Sequence, residues 1–150
     1  MNVVKRNGKK SMVSFDKITR RITDLCLNVD KKFIDPCKVA QKTISSIYNN
    51  ITTQELDLQS ARVCANLSTE HPDYNKLAAN ILISNLHKST EEDYGLVIDK
   101  LYNERVQLIS QDVYNFAKDN ITEINKMFDY SKDYNYDFFG FQTLERAYLI

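Results

Sequence analysis

Four stretches between Ile18 and Leu86 place apolar residues at intervals of three and four, separated by capping or turn signals, and this repeat restricts the chain to a mainly helical fold. The first stripe is Ile18, Ile22, Leu25, Cys26 and Val29. Asp35-Pro36 opens the second, because an Asp side chain accepts from free N–H groups and Pro tolerates the first helical position; Val39, Thr43, Ile44, Ile47 and Tyr48 follow. Asn49-Asn50 ends that stripe, and Thr52-x-x-Glu55 matches the capping box of a third helix carrying Leu56, Ser60, Val63, Cys64 and Leu67. His71-Pro72-Asp73 precedes the fourth, with Tyr74, Leu77, Ala78, Ile81, Asn85 and Leu86.

Ahead of these helices lie two short β-favouring runs, Val3 to Val4 and Met12 to Phe15, separated by polar residues that include Asn7-Gly8, a dipeptide suited to positive φ. The expected unit is mainly α: a four-helix bundle capped by a small N-terminal β-hairpin, on which the hairpin must dock because a lone two-stranded ribbon is marginal. It ends near Lys88, and further helices follow at about 93 to 104 and 110 to 127. An aromatic, Asp-rich stretch then covers Asp129 to Phe141, and an amphipathic run from Gln142 to Ile150 stops without a helix-ending signal. Such an ending is expected of a chain cut short, with a natural terminus as the alternative. The expected division is 1–91 and 92–150.

Twenty basic and twenty acidic residues cancel, so no global charge argues for a nucleic-acid or membrane-surface partner. No apolar run approaches the ~20 residues of a bilayer span, and the first ten residues lack a signal-peptide core, so a cytoplasmic chain is expected. Cys26, Cys37 and Cys64 are odd in number and show no CxxC spacing, which indicates neither a disulfide framework nor a zinc site. Cys26 and Cys64 lie on apolar stripes and read as small buried hydrophobes. Acid–base carboxylate pairs, metal-ligand clusters and Ser/His/Asp arrangements are not evident. His71 reads as a boundary residue and His87 as a surface one.

The local charge is uneven. Lys5, Arg6, Lys9, Lys10, Lys17, Arg20 and Arg21 crowd the amino end, with Asp16 the only acid among them. Cations on a strand and at a helix start can converge on a triphosphate, with a distant Lys88 adding charge. By itself such a cluster reads more readily as a solvated face than as a phosphate site.

Whole phrases add to this. VVKRNGKK, VSFDKITRRI, TTQELD, HPDYNKLAANILISNLHK and FFGFQTLERAYL, in this order, resemble the amino-terminal region of class I ribonucleotide reductase large subunits, especially the eukaryotic and large-virus branch. The resemblance covers nearly the whole chain and is weakest between Ser89 and Tyr134. It implies an ATP-cone followed by the start of the catalytic module. In that family the cone binds ATP as activator or dATP as inhibitor, with or without Mg2+. The resemblance places the phosphates at Lys5, Arg6 and Lys17, with Lys88 closing that side. Val4, Ile18 and Ile22 would bed the adenine, with core packing as the other reading of Ile18 and Ile22, and Phe15 and Asp16 lie in the same matched phrase. Thr53 and Asp57 would approach the sugar and phosphates, or act as helix-start residues.

At Ser11 related sequences often carry Glu, whose carboxylate can accept from the adenine amino group, whereas Ser offers one hydroxyl. That departure bears on base selectivity and on ATP/dATP discrimination. Ribose and deoxyribose differ by one hydroxyl, about 1 kcal/mol as a net hydrogen bond.

The resemblance further implies as partners the remainder of the large subunit and the radical-generating small subunit, with nucleotide-dependent oligomers. The family's catalytic cysteines and specificity site lie beyond this region, so the piece should have no reductase activity alone. A degenerate cone that only contacts subunits stays open as an alternative. A cone-bearing repressor would need a zinc ribbon, which the missing CxxC pairs oppose.

Overall fold

The fold comes from a computed structural model that describes residues 1–104 and 106–149. The described chain is mainly helical with one small sheet, and it forms two compact units, residues 1–85 with 134–150 and residues 86–133.

The first unit opens with β1 (Asn2–Val4) and β2 (Lys10–Met12), paired antiparallel with Val3 opposite Ser11. The connecting turn is closed by Gly8 N–H donating to the Lys5 carbonyl, and Gly8 takes the positive φ of 77° that the Asn-Gly dipeptide signals. The second strand lies earlier than the expected Met12 to Phe15, because the Ser14 hydroxyl accepts from Lys17 N–H and starts a helix, α1 (Phe15–Asp24). A further difference is β3 (Ile51–Thr52), which pairs parallel with β1 and makes the hairpin a three-stranded sheet of order β2-β1-β3. Val3, Ile47 and Ile51 form the apolar contact beneath it.

Helix α2 (Pro36–Ser46) is capped by Asp35, which accepts from Cys37 N–H at 2.9 Å and Lys38 N–H at 3.1 Å. Helix α3 (Thr53–Leu67) follows β3 directly, and its capping box is complete: Thr52 Oγ1 accepts from Glu55 N–H at 3.1 Å, and Glu55 Oε2 accepts from Thr52 N–H at 2.9 Å. Helices α1 and α2 pack together, as do α2 and α3.

The amphipathic stripe expected for the fourth helix understates its burial. In α4 (Asp73–His87) every residue from Leu77 to Ser84 is buried, so the helix is covered all round. Its polar residues are matched: Asn80 Nδ2 donates to the Leu25 and Leu27 carbonyls at 3.0 and 2.9 Å, and the Tyr74 hydroxyl accepts from Asp35 N–H. The first unit is completed near its end by α8 (Phe138–Ala147), which starts four residues before the expected run because Asp137 caps it. Phe138 and Phe141 are buried, and Phe138 N–H donates to Asn75 Oδ1 at 3.0 Å. Ile150, the last residue of the expected run, lies outside the described residues.

The second unit contains α5 (Tyr94–Asn103), α6 (Gln111–Asp119) and α7 (Ile121–Met127). The single helix expected over 110 to 127 is broken at Asn120, whose N–H and side-chain amide both turn back to the Phe116 carbonyl. Asp99 on α5 accepts from Tyr114 and Lys118 of α6, at 3.0 and 2.7 Å. His87 is half-buried rather than a free surface residue: its Nε2 lies 2.8 Å from Asp133 Oδ2, and its ring meets Tyr130 edge-on. In the first unit, His71 is a boundary residue stacked on Phe33 with ring centroids 4.5 Å apart.

Asp73 ties the segment after α1 to the start of α4. Asp30 N–H donates to its Oδ2 at 2.8 Å, and that bond, assisted by Lys76, holds the carboxyl below the usual carboxylate range. A pKa lower in the folded than in the unfolded chain gives stability that is fully present above the unfolded value and lost as pH falls through the folded one. Asp73→Asn should therefore cost most stability at neutral pH and progressively less in strongly acidic buffer, as read from urea midpoints. A cost independent of pH contradicts this.

Candidate functional site

The basic residues of the amino end are sorted by the sheet. Because β1 and β3 run parallel with Val4 beside Thr52, Lys5 and Thr53 leave the sheet at the same end, where Lys10 enters β2. The turn between β1 and β2 thus presents Lys5, Arg6 and Lys9, all exposed, at the level where α3 begins. Ser11 sits mid-strand on β2, half-buried.

Two arginines, Arg6 of this turn and Arg21 of α1, reach to consecutive residues of α4. Arg6 Nη2 donates to Asn85 Oδ1 at 2.6 Å, and Arg21 Nη2 donates to Ser84 Oγ at 2.9 Å. Arg21 also holds Asp57 of α3, through Nη2 to Oδ2 at 3.1 Å and Nε to Oδ1 at 3.5 Å. The site is therefore a junction of the β1–β2 turn, α1, α3 and α4. Asp57 is buried at 8% exposure, and a carboxylate so enclosed requires a partner such as this guanidinium.

Of the residues singled out in the sequence, Arg6 and Asp57 are bonded directly into this junction, and Lys5 and Thr53 adjoin through the strand register. Thr53 and Asp57, four apart on α3, share a helical face; Lys17 and Arg21 share one on α1. Lys17 is exposed. Ile18 and Ile22 are in the core, at 6% and 1% exposure, while Val4 is half-buried. Phe15 and Asp16 stand exposed in the first turn of α1. Lys88 belongs to the second unit and is exposed there.

In the sequence Arg21 stands among the basic residues with no role of its own, and nothing singles out Ser84. The signal for Arg21 is its spacing, three after Ile18 and four after Lys17, which puts a cation on the rim of an apolar stripe.

Chemically, the junction offers charge-assisted N–H donors from fixed guanidiniums, mobile ammonium groups beside them, and one oriented carboxylate acceptor. That set suits a polyanion carrying hydroxyl groups. Burial pushes the Cys26 thiol up against the opposing pull of Lys31, and burial pushes the Cys64 thiol up as well, which leaves both as poor nucleophiles. No group of three His, Cys, Asp or Glu side chains that could hold a metal ion occurs among the described residues. No helix among them is long and apolar enough to cross a membrane.

The ATP cone domain family matches residues 1–89. The chain is similar to ribonucleoside-diphosphate reductase large chain 2 of Saccharomyces cerevisiae, at 45% identity over all of this chain and 18% of that protein. It is similar also to the ribonucleoside-diphosphate reductase large subunit of Monkeypox virus, at 44% identity, and to that of Danio rerio, at 41%; each covers all of this chain and 20% of the relative. The chain spans about a fifth of the length of these curated relatives.

Removing one partner of a buried ion pair costs roughly 3–5 kcal/mol. Arg21 keeps 26% side-chain exposure, which screens the pair, so Arg21→Ala should cost about 2 kcal/mol in urea unfolding. The double variant Arg21→Ala/Asp57→Asn should cost less than Arg21→Ala alone, since it leaves no unpaired charge; a larger cost contradicts the pairing.

Proposed function

We propose a nucleotide-sensing role from one premise: the chain belongs to the ATP cone domain family. In this reading it is the regulatory front end of a ribonucleotide reductase large subunit. It binds ATP as activator or dATP as inhibitor and so controls reduction of ribonucleotides to deoxyribonucleotides. The observation that carries the reading is the junction at the end of the sheet, where Arg6 and Arg21 are anchored on Asn85 and Ser84 within the family-matched segment.

Each residue has a physical role in the proposal. Lys5 and Arg6, at the turn, and Lys17, on α1, take the triphosphate, because several cations are needed to replace the hydration of its charges. Thr53 and Asp57, on one face of α3, meet the sugar. Val4 lies at the edge of the adenine bed, with Ile18 and Ile22 packed behind it. Ser11, on β2 opposite Val3, contributes a single hydroxyl to base recognition. Any Mg2+ accompanying the effector is carried chiefly by its phosphates, the usual mode for this ion.

The proposal extends to partners by similarity. The named relatives are reductase large chains, which supports the rest of such a subunit and its radical-generating small subunit as the assemblies on which the effector acts. Coupling then takes the form of differential affinity of the nucleotide for two assembly states.

Isothermal titration of the 150-residue chain with ATP and with dATP tests this. Saturable binding at micromolar concentration or tighter is expected. Lys5→Ala and Lys17→Ala should each weaken it by about tenfold, the worth of one charge-assisted hydrogen bond. Titrations that stay flat at high nucleotide contradict the proposal.

A further inference from the structure

Arg21 is the one cation of the amino-terminal cluster that the fold ties to a buried carboxylate. Its guanidinium grips Asp57 at two points and Ser84 at a third, so three helices meet through one planar group. Among the described residues it is the only donor to the Asp57 side chain, which is itself 11% exposed and has little water to turn to. A two-point contact restrains both the position and the plane of a carboxylate.

A carboxylate beside a triphosphate is repelled by the phosphates, so its favourable use there is as an acceptor. The hydroxyl donors that a nucleotide offers are those of its sugar. Asp57 shares a helical face with Thr53, which the strand register sets beside Lys5, so the carboxylate lies at the rim of the cationic turn rather than within it.

We propose that Arg21 is a positioning residue of the nucleotide site: it holds the Asp57 carboxylate in one orientation and thereby sets how the site weighs ribose against deoxyribose. This rests on the effector reading given above. Arg21 does not itself touch the sugar; it acts through Asp57. The competing role is that of a staple between helices, which would affect folding without affecting the choice of nucleotide.

The test is titration of the 150-residue chain with ATP and with dATP, taking the ratio of the two dissociation constants. Arg21→Gln should shift that ratio by about fivefold, the size of one net hydrogen bond, with the same sign and size as Asp57→Asn. The double variant should shift it no further, because both changes act through one group. Arg21→Lys should restore part of the original ratio. If Arg21→Gln alone fails to fold, the double variant compared with Asp57→Asn answers the same question, since neutral partners leave no buried charge. An unchanged ratio in Arg21→Gln and Arg21→Lys, accompanied by a lower melting temperature, makes Arg21 a staple and overturns the inference. Additive shifts in the double variant also overturn it. If the unaltered chain binds neither nucleotide, the effector reading itself fails and takes this inference with it.

Discussion

Helix α4 is buried on all sides, and the first unit depends on how its polar side chains are satisfied. An unmatched amide or hydroxyl in such a setting costs about 1–3 kcal/mol. Each one is instead met by a different stretch of chain. Asp73 takes the N–H of Asp30, Tyr74 that of Asp35, and Asn75 that of Phe138. Asn80 donates to two carbonyls just after α1. Ser84 and Asn85 accept from Arg21 and Arg6. These partners come from loops, a turn and two helices, so the bonds on α4 add directional restraints to the apolar packing of Ile18, Ile22, Phe138 and Phe141.

The proposed function draws on the end of α4 that carries Ser84 and Asn85. The basic residues of the amino end, from Lys5 to Arg21, would face solvent in most compact arrangements. What distinguishes this one is that two guanidiniums are held by successive residues of a rigid helix, with one of them counterbalanced by Asp57. Fixed donors lose less entropy on capturing an anion than free ones do. The short strand β3 contributes as well: by pairing parallel with β1 it starts α3 at the level of Lys5, and this brings Thr53 and Asp57 to the cationic turn.

Local chemistry was legible in the sequence and remote pairing was not. The Asn-Gly turn, the Asp35 cap and the Thr52–Glu55 box are all decided within a few residues, and each stands where its residues indicate. Strand β3 escaped because two residues carry no periodicity; only β1, some 48 positions away in the register of Val3 with Ile51, makes them a strand. The full burial of α4 escaped because a stripe of one face says nothing about Ala79, Leu82 and Ile83 on the others. At the site, the charges could be counted from the sequence, but the Arg21–Asp57 pair joins residues on separate helices, and no spacing rule reaches that far.

In the proposed reading, the cationic turn, the rim of α1 and the first turns of α3 form one preorganised nucleotide site. Backbone amide chemical shifts of the isotopically labelled chain, recorded with and without ATP, test it most directly. Concerted, saturable changes are expected at Lys5 to Gly8, at Lys17 to Arg21 and at Thr53 to Asp57, with α2 largely undisturbed. Changes centred on α2 or confined to the second unit, or no change at saturating nucleotide, would contradict it.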